Sequence, residues 1–270
     1  MVDSNGADMS DITNPFMDPE TIKVMVCVPS GGMIDCQIYD NHVDFHTFNG
    51  VLSTKTFPPM EGGKTRFKFF SRNIGRTGIN YAREALATLA VQNGMDYVLM
   101  VDDDQTVPRD LFKRLYDTMI KTGADIVSPM VTQRVHPFKP VIWKQSYSEE
   151  GGKKAVYNQF IEEYEPNSIV EADAVGFGVV LIRASLLTKV PQPWFFSNNT
   201  FGEDIWFCMR ARAAGSKIVM DTSIKVGHLR VPDVAMELDW IKATKQEDKF
   251  KSIYPELDKA YTSPKEGAVA

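Results

Sequence analysis

Cysteine is scarce in this chain: Cys27, Cys36 and Cys208 are the only three in 270 residues. An odd set without metal-ligand spacing argues against a disulfide framework. Reduced thiols in a cytoplasmic protein are the expectation. Long apolar runs are missing too. No stretch approaches the roughly 20 residues that a bilayer-spanning helix needs. Residues 1–18 carry neither the basic start nor the apolar segment of a secretory signal. A cytoplasmic location without an anchor is therefore expected. Excess positive charge is also absent. Lys+Arg number 30 against 35 Asp+Glu, a formal net charge of -5, which is not the balance of a non-specific nucleic-acid binder. No internal repeat and no low-complexity tract is visible.

What is present fits a soluble globular protein: 43% hydrophobic and 24% charged residues. The length allows one large domain with a substantial core. Residues 1–20 are polar and expected to be loose. Ile22 to Val28 is a β-branched apolar run stopped by Pro29-Ser30-Gly31-Gly32, which predicts a buried strand ending in a tight loop. Val43–Phe48 and Thr65–Phe70 read as further strands. Thr77–Gln92 reads as a helix, with Ile79, Ala82, Leu86 and Leu89 on one face. Tyr97–Val101 is a continuous apolar strand, and Asp102-Asp103-Asp104 stands at its end. A helix is expected to open at Thr106–Pro108, with Leu111, Leu115 and Met119 inward and Gly123 as its stop. Asp125–Ser128 starts another strand.

Strands alternating with helices predict right-handed crossovers and a mainly parallel sheet. Ligands of such sheets bind at the carboxyl ends of the strands, where Pro29–Gly32 and Asp102–Asp104 both lie. Further on, residues 133–167 read as irregular and 174–182 as strand-like. Phe201–Ala214 reads as a helix, and 217–220 and 224–226 as short strands. Residues 233–270 form an expected helical or partly disordered tail, with Glu237, Lys242, Lys245, Glu247 and Asp248 on a solvated face.

Three adjacent aspartates repel one another unless a cation relieves them. Mg²⁺ and Mn²⁺ prefer oxygen ligands, often shared with substrate phosphates. An acidic surface turn accounts for the triplet equally well; the strand-end position favours the cation. Glu203 and Asp204 follow Gly202 at a helix start, where a carboxylate is often only a cap. His228 follows a short strand and, taken alone, is more often structural than a ligand. Trp194, Phe195 and Phe196 fit either an acceptor platform or ordinary core. Arg134, His136 and Lys139 form a small basic patch or a solvated loop.

The order of these pieces is more demanding than any one of them. Tyr81-Ala82-Arg83, then Val98 to Asp104, Ala174 to Arg183, Phe201-Gly202-Glu203-Asp204 and Val226-Gly227-His228 together resemble the A-type-fold (GT-A) glycosyltransferases, especially the family 2-like enzymes. The resemblance spans about residues 22–230. It implies an α/β fold: a single Rossmann-like GT-A domain with a mixed, mainly parallel sheet over residues 21–232. A nucleotide-sugar half would cover about 21–130 and an acceptor half about 131–232.

The resemblance also implies roles. Asp102 and Asp104 match the first and last residues of the Asp-x-Asp motif, with Asp102 near the nucleotide ribose. Asp102, Asp104 and His228 would hold Mn²⁺ or Mg²⁺. Pro29, Ser30 and Arg83 would meet the donor, most simply a UDP-sugar, while Arg76 is either a further donor contact or a surface residue. Asp103 is counted with the donor-binding residues or does no chemistry. Gly176, with Gly178, either lets the backbone approach the donor sugar or marks a bulge. Asp204 resembles the base of inverting members, assisted by Glu203. The family's aspartate after the second strand has only Asp44 and Ser71 as candidates, and Arg72-Asn73 is a further possible contact. The acceptor stays open between a saccharide and a modified nucleic acid, including modified bases of viral DNA. A nucleotidyltransferase is disfavoured because the first loop has glycines but no Lys or Arg. An inactive binding module is disfavoured by the joint presence of Asp102, Asp104, Asp204 and His228.

Overall fold

The computed structural model describes residues 20–254 except 33, 151, 152, 199, 231 and 232. The loose segment expected at 1–20 lies, but for its last residue, outside the described residues, as does the tail beyond 254. The chain opens with β1 (Thr21–Ser30), α1 (Cys36–Ser53), β2 (Arg66–Gly75) and α2 (Ile79–Gln92). It continues with β3 (Tyr97–Val101), β4 (Gln105–Thr106), α3 (Leu111–Thr122) and β5 (Ile126–Met130). Next come β6 (Ile142–Glu150), β7 (Lys153–Phe160), β8 (Ile169–Ala172), β9 (Ala174–Val175) and β10 (Val179–Arg183). The remainder is α4 (Ala184–Lys189), α5 (Glu203–Ala213), β11 (Ile218–Lys225), β12 (Gly227–Arg230), β13 (Asp233–Ala235), α6 (Glu237–Ala243) and α7 (Glu247–Phe250).

Seven strands form the central sheet in the order β2-β1-β3-β10-β5-β11-β8. The β1–β2, β1–β3 and β5–β11 pairs are parallel, while β10 runs antiparallel to both neighbours and β8 to β11. Side chains alternate between its faces. Met25, Cys27, Val98, Met100 and Ile182 pack on one side with Leu86 of α2 and Phe207 of α5. Val24, Val26, Leu99, Val101 and Leu181 pack on the other with Phe45 of α1 and Leu115 of α3. Helices therefore cover both faces, and the ends of β1 and β3 remain for a ligand. All three cysteines are free thiols, Cys36 exposed and the others buried.

Several expectations are corrected. The predicted strand Val43–Phe48 lies within α1. Its buried residues, Ile38, His42, Phe45, Asn49 and Leu52, follow the helical period, and the Asp35 side chain caps its start. Ile79 is exposed, and Arg83 instead of an apolar residue shares the buried face of α2. The helix expected to open at 106–108 starts at Leu111; Gln105–Thr106 is a strand, although Leu111, Leu115 and Met119 are buried as expected. The irregular stretch 133–167 contains the β6–β7 hairpin, a polar ribbon pinned by Trp143 against Phe160 at 5.2 Å between ring centres. Residues 217–226 hold one strand, β11, whose pairing with β5 shifts register between Asp221 and Lys225.

Glu237 is not on a solvated face; it is 1% exposed. It accepts hydrogen bonds from Tyr164 at 2.8 Å and Tyr254 at 2.6 Å and pairs with Lys225. Trp240, Ile241 and Phe250 are buried in the main core, with Trp240 stacked on Tyr164. Helical spacing puts Glu237, Trp240 and Ile241 on one face, which is why a charged-looking segment docks. Glu237→Ala should cost about 3–5 kcal/mol by leaving Lys225 unpaired. Urea unfolding checks this; a solvated glutamate would change stability by no more than about 0.5 kcal/mol.

Candidate active site

β3 is buried along its whole length and delivers the acidic triplet to the rim of the sheet. The backbone there is tied on three sides. The Asp102 N–H donates to the Gly178 carbonyl at 2.8 Å, Gln105 N–H to Asp102 at 3.2 Å, and Leu229 N–H to Asp104 at 2.8 Å. β4 then pairs with β12, placing His228 opposite Gln105. The three carboxylates are relieved of mutual repulsion by taking three different partners. Asp102 accepts from Arg83 Nη2 at 2.8 and 2.7 Å. Asp103 accepts from the Gly31 N–H at 2.8 Å, joining the loop after β1 to the acidic turn. Asp104 faces His228 Nε2 at 3.2 Å and Arg134 Nη1 at 3.3 Å.

Arg83 is 3% exposed. Besides Asp102 it pairs with Glu203 in the first turn of α5 and donates to the Phe177 carbonyl at 3.0 Å. Both Nη nitrogens are thus committed to protein partners, and the expected contact of Arg83 with the nucleotide or its phosphates is not available in this arrangement. Asp204, next to Glu203, accepts from the Ile205 N–H at 2.7 Å. Burial first, and then the Glu203 charge, push its carboxyl above the ordinary aspartate range against the pull of the Ile205 N–H and Arg83.

The His228 ring is oriented by Nδ1, 2.8 Å from the Thr132 carbonyl. A carbonyl only accepts, so Nδ1 carries a proton. Nε2 then faces a carboxylate and requires either a proton or a cation between them. This is the orientation by a backbone carbonyl that metal-binding histidines use. The donor set fits a hard divalent cation that takes its other ligands from phosphate and water. The three-ligand set of Asp102, Asp104 and His228 is not assembled, because Arg83 holds both Asp102 oxygens. Among the described residues no three such side chains converge on one point.

Two cavities flank this turn. One, of about 470 Å³, lies between the ends of β1 and β2 and the start of α1, with Ser30, Tyr39, His42, His46, Arg72 and Asp103 in its wall. The other, of about 220 Å³, includes Arg83, Asp102, Thr132, Gly176, Asp204 and His228. Pro29 is buried within β1 and lines neither. Arg76 is exposed beside Gly32, its backbone in the left-handed region at φ 59°. At Gly176 a Cβ would strike Val141 at 2.7 Å, so close packing by itself requires a glycine there.

Tyr39, His42 and His46 lie in or next to Val43–Phe48, which reads as a strand, and sequence reasoning misses all three; their helical spacing is the available signal. Asp44 is exposed on α1 outside both cavities, whereas Ser71, Arg72 and Asn73 line the larger one. Trp194 and Phe195 are core residues; only Phe196 is exposed, against Trp206. Of the three residues weighed as a basic patch or a solvated loop, Lys139 is paired with Glu162 and Arg134 with Asp104.

His228 and Asp104 titrate against one another. Burial opposes a charged ring, but the hydrogen bond and charge of Asp104 raise the His228 pKa above 6.5. Burial also opposes a charged Asp104, but His228, Gln105 and Arg134 hold its pKa below 3.8. A raised histidine contributes stability fully present below its unfolded value and lost as pH rises through the folded one. A lowered carboxyl contributes stability lost as pH falls. Their coupling should therefore be greatest between pH 3.8 and 6.5. A double-mutant cycle of Asp104→Asn and His228→Gln, unfolded in urea with chelator present, measures it. A coupling unchanged from about pH 5 to about pH 9 would contradict the pairing.

No protein-family model and no curated sequence matches the chain. Solved structures do resemble it. A197 from STIV is 16% identical, with 77% of this chain and 86% of that one covered and a TM-score of 0.50. GalNAc-T7, solved with UDP, GalNAc and Mn²⁺, is 11% identical, with 89% of this chain covered but only 52% of that one, and a lower TM-score of 0.44. Helices on both faces of a mixed, mostly parallel sheet, with an acidic turn at the end of β3, make this an α/β, Rossmann-like fold, which it shares with A197 from STIV.

Proposed function

We propose that the chain is a metal-dependent glycosyltransferase that moves a sugar from a nucleoside-diphosphate sugar, a UDP-sugar in the simplest case, to an acceptor hydroxyl. The observation that carries this reading is the meeting of Asp104 and His228 beside a cavity that also contains Asp204. Those side chains come from the end of β3, the start of β12 and the start of α5. A divalent cation held by Asp104 and His228 would neutralise charge on the departing diphosphate. The nitrogen donor favours Mn²⁺ over Mg²⁺.

The larger cavity takes the nucleoside. Tyr39 and His46 supply ring surfaces there, and Ser30, Arg72 and Asn73 supply polar contacts. Asp103 acts by holding the Gly31 backbone at that cavity's edge. Arg76, exposed at the same edge, is positioned to meet phosphate. The smaller cavity takes the sugar, and the acceptor approaches Asp204. Burial and the neighbouring Glu203 raise the basicity of Asp204, which suits it to take the proton from the attacking hydroxyl, with inversion at the anomeric carbon. Glu203, tied to Arg83, orients the turn that carries Asp204. Asp102 belongs to the same clamp and forms the floor of the sugar cavity. Among the described residues no helix is long and apolar enough to cross a membrane.

Asp204→Asn should leave UDP binding within about twofold and lower turnover by about 10²–10⁴-fold. Asp104→Ala and His228→Ala should instead weaken Mn²⁺-dependent UDP binding. Calorimetry and an assay for released UDP separate the two effects. Equal loss of binding and turnover in Asp204→Asn would count against its role as base.

A further inference from the structure

An imidazole nitrogen that faces a carbonyl must carry the proton, and in a neutral ring the other nitrogen is then an acceptor. His42, on the inward face of α1, is such a ring. It is 6% exposed, and its Nε2 lies 2.9 Å from the Gln105 carbonyl. Nε2 is therefore the donor. Burial, foremost, holds the ring below the ordinary histidine pKa, against the Gln105 hydrogen bond and the Asp103 charge. The neutral ring is left with a lone pair on Nδ1. That nitrogen takes no partner among the described residues, and it is not one of the unpartnered side-chain atoms closed to solvent. His42 belongs to the wall of the cavity of about 470 Å³, so the lone pair is presented there. The ring is also held in place. Asn41 exchanges two hydrogen bonds with the Val107 backbone, at 2.8 and 2.7 Å. Together with the His42 contact they tie α1 to the segment that follows the acidic turn.

We propose that His42 is a specificity-determining residue that selects uracil over cytosine, its Nδ1 accepting a hydrogen bond from the N3–H of the base. This rests on the reading above that the larger cavity takes the nucleoside. The two pyrimidines share one ring size and differ at this atom: N3 of uracil carries a hydrogen, N3 of cytosine a lone pair. A fixed acceptor pairs with the first and repels the second. The two carbonyl oxygens that flank N3 in uracil need donors, and Ser30, Arg72 and Asn73 on the same wall carry them. The volume lies within the roughly 300–1,000 Å³ of small-molecule sites.

His42→Phe keeps the bulk of the ring and removes the acceptor. Calorimetry in Mn²⁺ should show the wild type binding UDP about tenfold or more tightly than CDP. In His42→Phe the two should fall within about threefold of each other, because UDP weakens and CDP does not. A merely structural histidine would weaken both equally and leave the preference in place. Because the ring also anchors α1, N3-methyl-UDP repeats the test on the unaltered protein, where it should bind about tenfold or more weakly than UDP. The proposal is overturned by a wild type that binds CDP or a purine nucleoside diphosphate as tightly as UDP. A UDP preference that survives in His42→Phe, or full affinity for N3-methyl-UDP, also overturns it. A wild type that binds none of UDP, CDP, GDP and ADP would instead strike the donor reading itself.

Discussion

The site depends on one buried cation. Arg83 sits on the inward face of α2, where periodicity calls for an apolar residue, and holds Asp102 at the end of β3 and Glu203 at the start of α5. It also donates to the carbonyl of Phe177, on the segment between β9 and β10. Three parts of the chain separated by 19 to 120 positions are thereby brought to one guanidinium. Buried ion pairs of this kind add little net stability over apolar packing, since desolvation offsets most of the attraction. What the clamp supplies is geometry: a rigid, planar fork that fixes the acidic turn against the helix bearing Asp204.

With Asp102 absorbed by Arg83 and Asp103 by the Gly31 backbone, Asp104 is the carboxylate left to face His228. The electrostatic problem of three adjacent aspartates is solved by division of partners instead of by one cation shared among all three. This changes the reading of the motif. Asp104 and His228 are the pair proposed for a metal, Asp102 is held in the Arg83 clamp, and Asp103 ties the loop after β1 in place. The same logic places Gln105, which is fully buried: its carbonyl lies 2.9 Å from His42 in the larger cavity, and its amide points at Asp104.

Much of the frame was legible in the sequence. β1, α2, β3, α3 and β5 follow from apolar runs, glycine stops and helical periods, and the acidic turn was placed at a strand end from pattern alone. What was missed has physical causes. α1 carries polar and aromatic residues on its outer face, so a local alternation around Val43–Phe48 imitated a strand. The β6–β7 ribbon is too polar to show a buried face. Glu237 looked solvated because its partners, Tyr164, Lys225 and Tyr254, lie up to 73 positions away. Residue types near the site were readable, but their partners were not. Arg83 looks like a phosphate ligand until Asp102 and Glu203 are seen to occupy it.

The central claim is that Asp104 and His228 hold a divalent cation shared with a nucleoside diphosphate. Electron spin-echo spectroscopy of Mn²⁺ bound to the protein with UDP tests it directly. The account predicts nitrogen modulation from one imidazole together with phosphorus coupling from the diphosphate, and loss of the nitrogen signal alone in His228→Gln. Bound Mn²⁺ without imidazole coupling, or with a signal unchanged in His228→Gln, would contradict it.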